Sequence, residues 1–163
     1  MARWLALDVG AARIGVAISD ATGFLASPYT TLHITRDESQ TWNIIQHLIE
    51  ETEAEGLVVG LPISLDGEIH SQGKRVQAFA ERLKEHITIP ITFWDERLST
   101  VEAERLLIER GDTDLGKRYK ATGGRKANQS KRRRKKQEVD ALAAAVILQE
   151  YLDAHMSKTR GTE

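Results

Sequence analysis

The rhythm of the apolar residues changes repeatedly over the first 95 positions, and those changes restrict the fold more than any other feature of the chain. Trp4 to Val9 and Ile14 to Ser19 are short, nearly unbroken apolar runs, with Gly10 to Arg13 between them giving a connection of hairpin length. Tyr29 to His33, rich in Thr and aromatic character after the turn signal at Ser27 and Pro28, reads as a third strand. From Glu38 to Glu53 the period becomes helical, with Trp42, Ile45, Leu48 and Ile49 on one side, and Gly56 to Gly60 returns to a buried strand. Val76, Phe79, Ala80, Leu83 and Ile87 mark a second helix, and Ile89 to Trp94 a fifth strand that stops at Asp95, Glu96 and Arg97. Ser99 with Glu102 is a capping box for a further helix carrying Ala103, Leu106 and Leu107. Val139, Leu142, Ala143, Val146, Ile147 and Tyr151 predict the apolar face of a last helix.

Three strands followed by alternating helices and strands predict an α/β fold, a mixed five-stranded sheet with helices on both faces. Right-handed crossovers set the fourth strand beside the first and the fifth beyond it, all three parallel. A chain of 163 residues is enough for one such domain, here expected over residues 1–155, with a basic, mobile loop at 112–136 and a frayed tail at 156–163. Ligands in open sheets of this type meet the carboxyl ends of the parallel strands. Asp8 stands at one such end, and Asp95 with Glu96 at another.

The net charge of −1 conceals an asymmetry. Lys117 to Lys136 holds eleven Lys or Arg and no acid, so the other 143 residues carry −12. A cationic block of this kind points to a polyanion held at one place, although it also suits a solvated linker or a ribosome-type tail. There is no cysteine, which excludes a thiolate zinc site and a cysteine nucleophile and favours a reducing compartment. The longest apolar stretch, Ala141 to Leu148, is far too short to span a bilayer, and Asp8 and Arg13 interrupt the N-terminal one. A cytoplasmic protein with no membrane partner is the expectation.

Three acidic positions call for an explanation that surface acids do not. A charge within an apolar strand is costly to bury without a partner, which singles out Asp8, although an Asp there could simply cap the turn. Asp140 lies at the edge of the most apolar helix, where it could merely complement the helix dipole. In Asp95-Glu96-Arg97 the arginine could neutralise its neighbours in a surface ion pair. The first and fifth strand ends are about 10 Å apart in the expected sheet, a gap that extended carboxylates nearly close around one or two hard cations. Oxygen-only ligands favour Mg²⁺ or Mn²⁺ over zinc. Such ions activate water and stabilise the leaving oxygen when phosphodiesters are cut, while basic groups hold the backbone. The basic candidates are Arg13, Arg97, Lys117, Arg118, Lys120, Arg125, Lys126, Lys131, Arg132, Arg133, Arg134, Lys135 and Lys136.

The chain resembles the YqgF (RuvX) proteins, bacterial relatives of Holliday junction resolvases with the RNase H fold. The resemblance runs through Leu7-Asp8-Val9-Gly10, Arg13-Ile14-Gly15-Val16-Ala17 with Ser19-Asp20, and Val59-Gly60-Leu61-Pro62 followed by Asp66-Gly67. It continues through Asp95-Glu96-Arg97-Leu98-Ser99-Thr100 with Glu102 and Ala103, and closes on Asp140, Ala143, Ala144, Ile147 and Leu148. It implies an RNase H-like sheet, a metal-dependent nuclease site and trimming of the 5′ end of the 16S rRNA precursor. By position it implies Asp8, Glu96 and Asp140 as catalytic and metal-binding acids, with Asp95 as a possible fourth ligand.

Three readings are therefore carried forward. The first is a nuclease acting on nucleic acid, RNA before DNA. The second is a Holliday junction resolvase or other structure-selective DNA nuclease using the same acids. The third, from another class, is a non-catalytic RNA-binding module in which the acids are structural caps. An actin-like ATPase also opens on an Asp-x-Gly turn, but it needs a second lobe that 163 residues do not supply.

Overall fold

In the computed structural model the first apolar run forms β1 (Trp4–Val9), which turns back at Gly10 into β2 (Arg13–Ser19). The backbone N–H of Gly10 donates to the Arg13 carbonyl at 2.8 Å, closing the hairpin tightly. β3 (Ala26–His33) pairs antiparallel with β2 and begins three residues before the expected start, taking in Ser27 and Pro28. Pro28 is tolerated there because β3 is an edge strand. The structure describes residues 3–63, 66–95 and 128–160, and within the last helix the side chains of 138–155.

Helix α1 (Glu38–Thr52) starts where Asp37 caps the backbone N–H of Ser39 and ends where Glu53 adopts a left-handed conformation. Its buried residues include Trp42, Ile45 and Leu48, the stripe read from the sequence. β4 (Gly56–Leu61) follows, then α2 (Ser71–Lys84) and β5 (Ile91–Asp95). The sheet order is β3-β2-β1-β4-β5, with β4 parallel to β1 and β5 parallel to β4, as right-handed crossovers require.

Strand alternation divides the core in two. Leu5, Leu7, Val9, Ile14, Val16, Leu57 and Val59 face α1 and α2. Ala6, Ala17 and Val58 face the last described helix, α3 (Asn128–Arg160), through Ala143, Ala144, Ile147, Leu148 and Tyr151. The helices thus cover both sides of an α/β sheet.

Three expectations for α3 need correction. The helix begins at Asn128, so residues 128–136 are helical and not loop, while 112–127 lie outside the described residues. Lys, Arg and Gln are good helix formers, and no Gly or Pro interrupts the chain from 128 to 160. The helix also continues to Arg160, through most of the segment expected to fray. The expected face is buried at Ala143, Ile147 and Tyr151, but Leu142 is 40% exposed, and Ala144 and Leu148 are fully buried beside it. A run of eight consecutive apolar residues offers several stripes, and contact with the sheet chooses among them. The capping box at Ser99 and Glu102 falls outside the described residues.

Candidate active site

Asp8 is the fifth of six residues in β1 and is only 7% exposed. By alternation with Leu7 and Val9 it points to the α3 side of the sheet, in line with Ala6. Its partner across the hairpin is Gly15, and one residue past the Leu7–Val59 pair, β4 carries Gly60. Both flanking strands therefore lack a side chain at this level, which opens a space beside the Asp8 carboxylate.

Gly15 is what brings Asp140 into that space. A Cβ on Gly15 would stand 1.9 Å from the Asp140 carbonyl oxygen, so the helix backbone rests directly on the strand. Opposed residues of an antiparallel pair have Cα atoms about 5 Å apart, which places the Asp140 carbonyl within about 9 Å of the Asp8 Cα. The far end of the helix is held independently. The Tyr151 ring packs on Trp4 at a centroid distance of 5.2 Å and on Trp94 at 5.9 Å, and the Gln149 side chain bonds to the backbone of Ala26 and Phe24. From Tyr151 back to Asp140 the helix rises about 16 Å, and from Trp4 to Asp8 the strand rises about 13 Å. Anchoring Tyr151 over Trp4 thus delivers Asp140 to the level of Asp8.

The hairpin itself is pinned from both sides. Beyond the Gly10–Arg13 bond, the Ile34 N–H donates to the Ala12 carbonyl at 2.9 Å, and Arg13 pairs with His33. From this fixed backbone the Arg13 side chain crosses to α3, where Nε donates to Asp140 Oδ2 at 2.6 Å. The two side chains are 32% and 18% exposed. Arg13, expected to hold the nucleic acid backbone, pairs here with an acid of the same site. The physical reason is the cost of partly burying the Asp140 carboxylate, which an adjacent guanidinium offsets.

Asp95 ends β5. Its neighbour Trp94 packs on the α3 side, against Tyr151 and with its indole N–H donating to Glu150. Alternation then directs Asp95 to the other face, away from the space beside Asp8. Glu96, Arg97, Lys117, Arg118, Lys120, Arg125 and Lys126 lie outside the described residues. Lys131, Arg132, Arg133, Arg134, Lys135 and Lys136 lie on the first turns of α3.

Sequence reading passed over one further group. Asp66, Glu68 and His70, in the connection from β4 to α2, place one ligand atom each within 4.8 Å of one another, all exposed. Alternate spacing of acid and histidine is the signal that could have found them. Asp66 accepts from the Glu68 backbone N–H at 2.9 Å and from His70 at 3.2 Å, and these contacts, led by the backbone bond, hold its carboxyl below the usual range. The group is accounted for as a turn that closes the approach to α2.

Asp8 and Asp140 offer carboxylate oxygens, and both side chains are largely shielded from water. One or two carboxylates completed by water and phosphate oxygens is the set a Mg²⁺ ion accepts, so these residues fit a hard divalent ion.

Residues 2–122 match the family model described as "RuvX: Holliday junction resolvase". The chain belongs to the RuvX family. Relatives named "Putative pre-16S rRNA nuclease" include those of Thermoanaerobacter pseudethanolicus, 41% identical over 96% of this chain and 99% of the relative, and Desulforamulus reducens, 42% identical over 93% and 97%. RuvX proteins are thus grouped with nucleases, hydrolases of phosphodiester bonds. Among solved structures the chain is similar to RuvC of Thermus thermophilus in complex with a Holliday junction substrate, with a TM-score of 0.52 and 14% identity over 96% of this chain and 97% of that one. That likeness establishes an RNase H-like fold. The RuvX match ends before Asp140, whose place beside Asp8 is a matter of geometry. Among the described residues no helix is long and apolar enough to cross a membrane.

Proposed function

We propose that this RuvX protein is a metal-dependent nuclease that hydrolyses phosphodiester bonds in the 5′-end processing of pre-16S rRNA. The observation that carries the reading is the convergence of Asp8 and Asp140, 132 positions apart, on one end and one face of the sheet. The names of the relatives support the substrate. Asp8 and Asp140 would hold Mg²⁺ or Mn²⁺, with Glu96 as the third acid. Glu96 directly follows Asp95, the last residue of β5. When bound, such an ion supplies an activated water and neutralises charge on the leaving oxygen. The chain's own part is to present two preformed carboxylates, shielded from competing water, at the end of a rigid sheet.

Arg97 and the basic residues at 117–136 would hold the nucleic acid backbone, contributing affinity and salt dependence without sequence choice. A cytoplasmic place of action belongs to the same reading. A structure-selective DNA nuclease is the second reading, favoured by the family description and by the RuvC-like fold.

One assay separates these possibilities. The purified protein is given labelled pre-16S 5′-end RNA, single-stranded DNA and a four-way junction in parallel, with Mg²⁺, with Mn²⁺ and with EDTA. The expected result is metal-dependent cutting of the RNA, lost in EDTA while binding persists. Asp8→Asn should slow cutting at least about 100-fold, equivalent to about 3 kcal/mol of transition-state stabilisation, with little change in RNA affinity. Cutting of the junction alone would favour the second reading. RNA binding without cutting in any metal would make the protein a binding module.

A further inference from the structure

The Arg13–Asp140 pair puts a cation where the proposed function needs one. Arg13 Nε lies 2.6 Å from Asp140 Oδ2, and Asp140 stands at the level of the buried Asp8. Two shielded carboxylates in one space repel each other, and a fixed positive charge on either relieves the repulsion. The Arg13 backbone is held by the hairpin bond to Gly10 and by its pairing with His33, so its side chain is the part able to move. At 32% exposed that side chain is not walled in, and it can leave Asp140 without opening the core.

We propose that Arg13 is an internal stand-in for the divalent ion: in the metal-free protein its guanidinium occupies the Asp140 oxygen that the ion takes on binding, so that arginine and metal exchange on one carboxylate. This inference rests on the metal-dependent reading of the site. It makes Arg13 a competitor of the ion for Asp140, which relieves the repulsion between the two acids without metal and lowers the affinity for metal. A merely structural ion pair would leave metal affinity unchanged on removal, and a residue that orients Asp140 for the metal would weaken it.

The test uses the full chain and the metal alone. Mn²⁺ affinity is measured by titration calorimetry for the wild type, Arg13→Gln and Arg13→Lys, with thermal melting of each in EDTA and in saturating Mn²⁺. Arg13→Gln should bind Mn²⁺ about fivefold more tightly, the order expected for release from one partly exposed ion pair. It should melt below the wild type in EDTA and close that gap in Mn²⁺, while Arg13→Lys, which keeps the charge, should bind close to wild type. In the unaltered protein, the Arg13 Nε–H resonance should show a hydrogen-bonded proton in EDTA and shift on saturation with Mg²⁺. Unchanged or weaker Mn²⁺ binding by Arg13→Gln, or an Nε–H resonance that ignores Mg²⁺, would overturn the exchange while leaving the nuclease reading intact. A wild type that binds no divalent ion would overturn both.

Discussion

At Gly15 the absence of a side chain decides where a helix can rest. A methyl group there would strike the Asp140 backbone, which no rotamer change can relieve, so α3 would have to move. Gly15→Ala should therefore destabilise the fold by about 1–3 kcal/mol in urea unfolding, the usual cost of overpacking, and should slow cutting together with it. A variant as stable as the wild type would show that helix and strand are not in contact. Asp20 makes a different kind of point. Its carboxylate accepts from the Phe24 N–H at 2.8 Å and from the Thr22 hydroxyl at 2.9 Å, and these bonds, the Phe24 amide first, hold its pKa below the usual 3.8. A pKa lowered by folding contributes stability that is present above the unfolded value and lost as pH falls through the folded one. The Phe24 and Leu25 amide resonances should titrate together with a midpoint below 3.8, and Asp20→Asn should abolish the step. A midpoint at or above that value would mean the loop bonds are not formed in solution. Asp20 was legible only as part of a motif, because its partners are backbone groups that composition does not reveal.

Helix α3 shows how an element acquires its position. Its aromatic anchor, Tyr151, is 5% exposed and touches Trp4 at one end of β1 and Trp94 on β5. Tyr151→Ala should cost about 3 kcal/mol in chemical unfolding, as for other buried aromatic truncations. It should also change the tryptophan fluorescence, since both indoles lose a packed neighbour. If the loss were confined to a few tenths of a kcal/mol, the helix would be held by its alanines alone. Those alanines explain the close approach: Ala143, Ala144 and Ala145 share a cluster with Ala6 and Ala17, while Gly15 meets the Asp140 backbone, small residues on both partners. Leu142 was misplaced on that face because apolar residues fill every position from 141 to 148, and only the matching small residues of the sheet distinguish Ala144 from Leu142.

Across the whole molecule, charge and topology are arranged separately. Lys131 to Lys136 are six consecutive cations on a helix, and at 3.6 residues per turn they span more than one full circuit. About half can face a single bound strand, so neutralising all six should reduce the salt slope of RNA binding by about 2, at about 0.7 per phosphate contact. A slope reduced by twice that amount would require every one of the six to meet a phosphate. The remainder of the chain, excluding 117–136, is strongly acidic and repels a polyanion, so on the proposed reading nucleic acid would be directed toward this end of α3. The strand order and the parallel β1, β4 and β5 were legible in the apolar rhythm, because burial periodicity and crossover handedness are local or nearly universal rules. So was Asp8, a charge inside an apolar strand. What the sequence could not convey is that Arg13 meets Asp140, or that Leu142 is left out of the buried face of α3. Each of these depends on where two elements far apart in the chain come to rest against each other. That distance is set by side-chain volume at Gly15, Trp4 and Tyr151, and volume acts only once the partners are in contact.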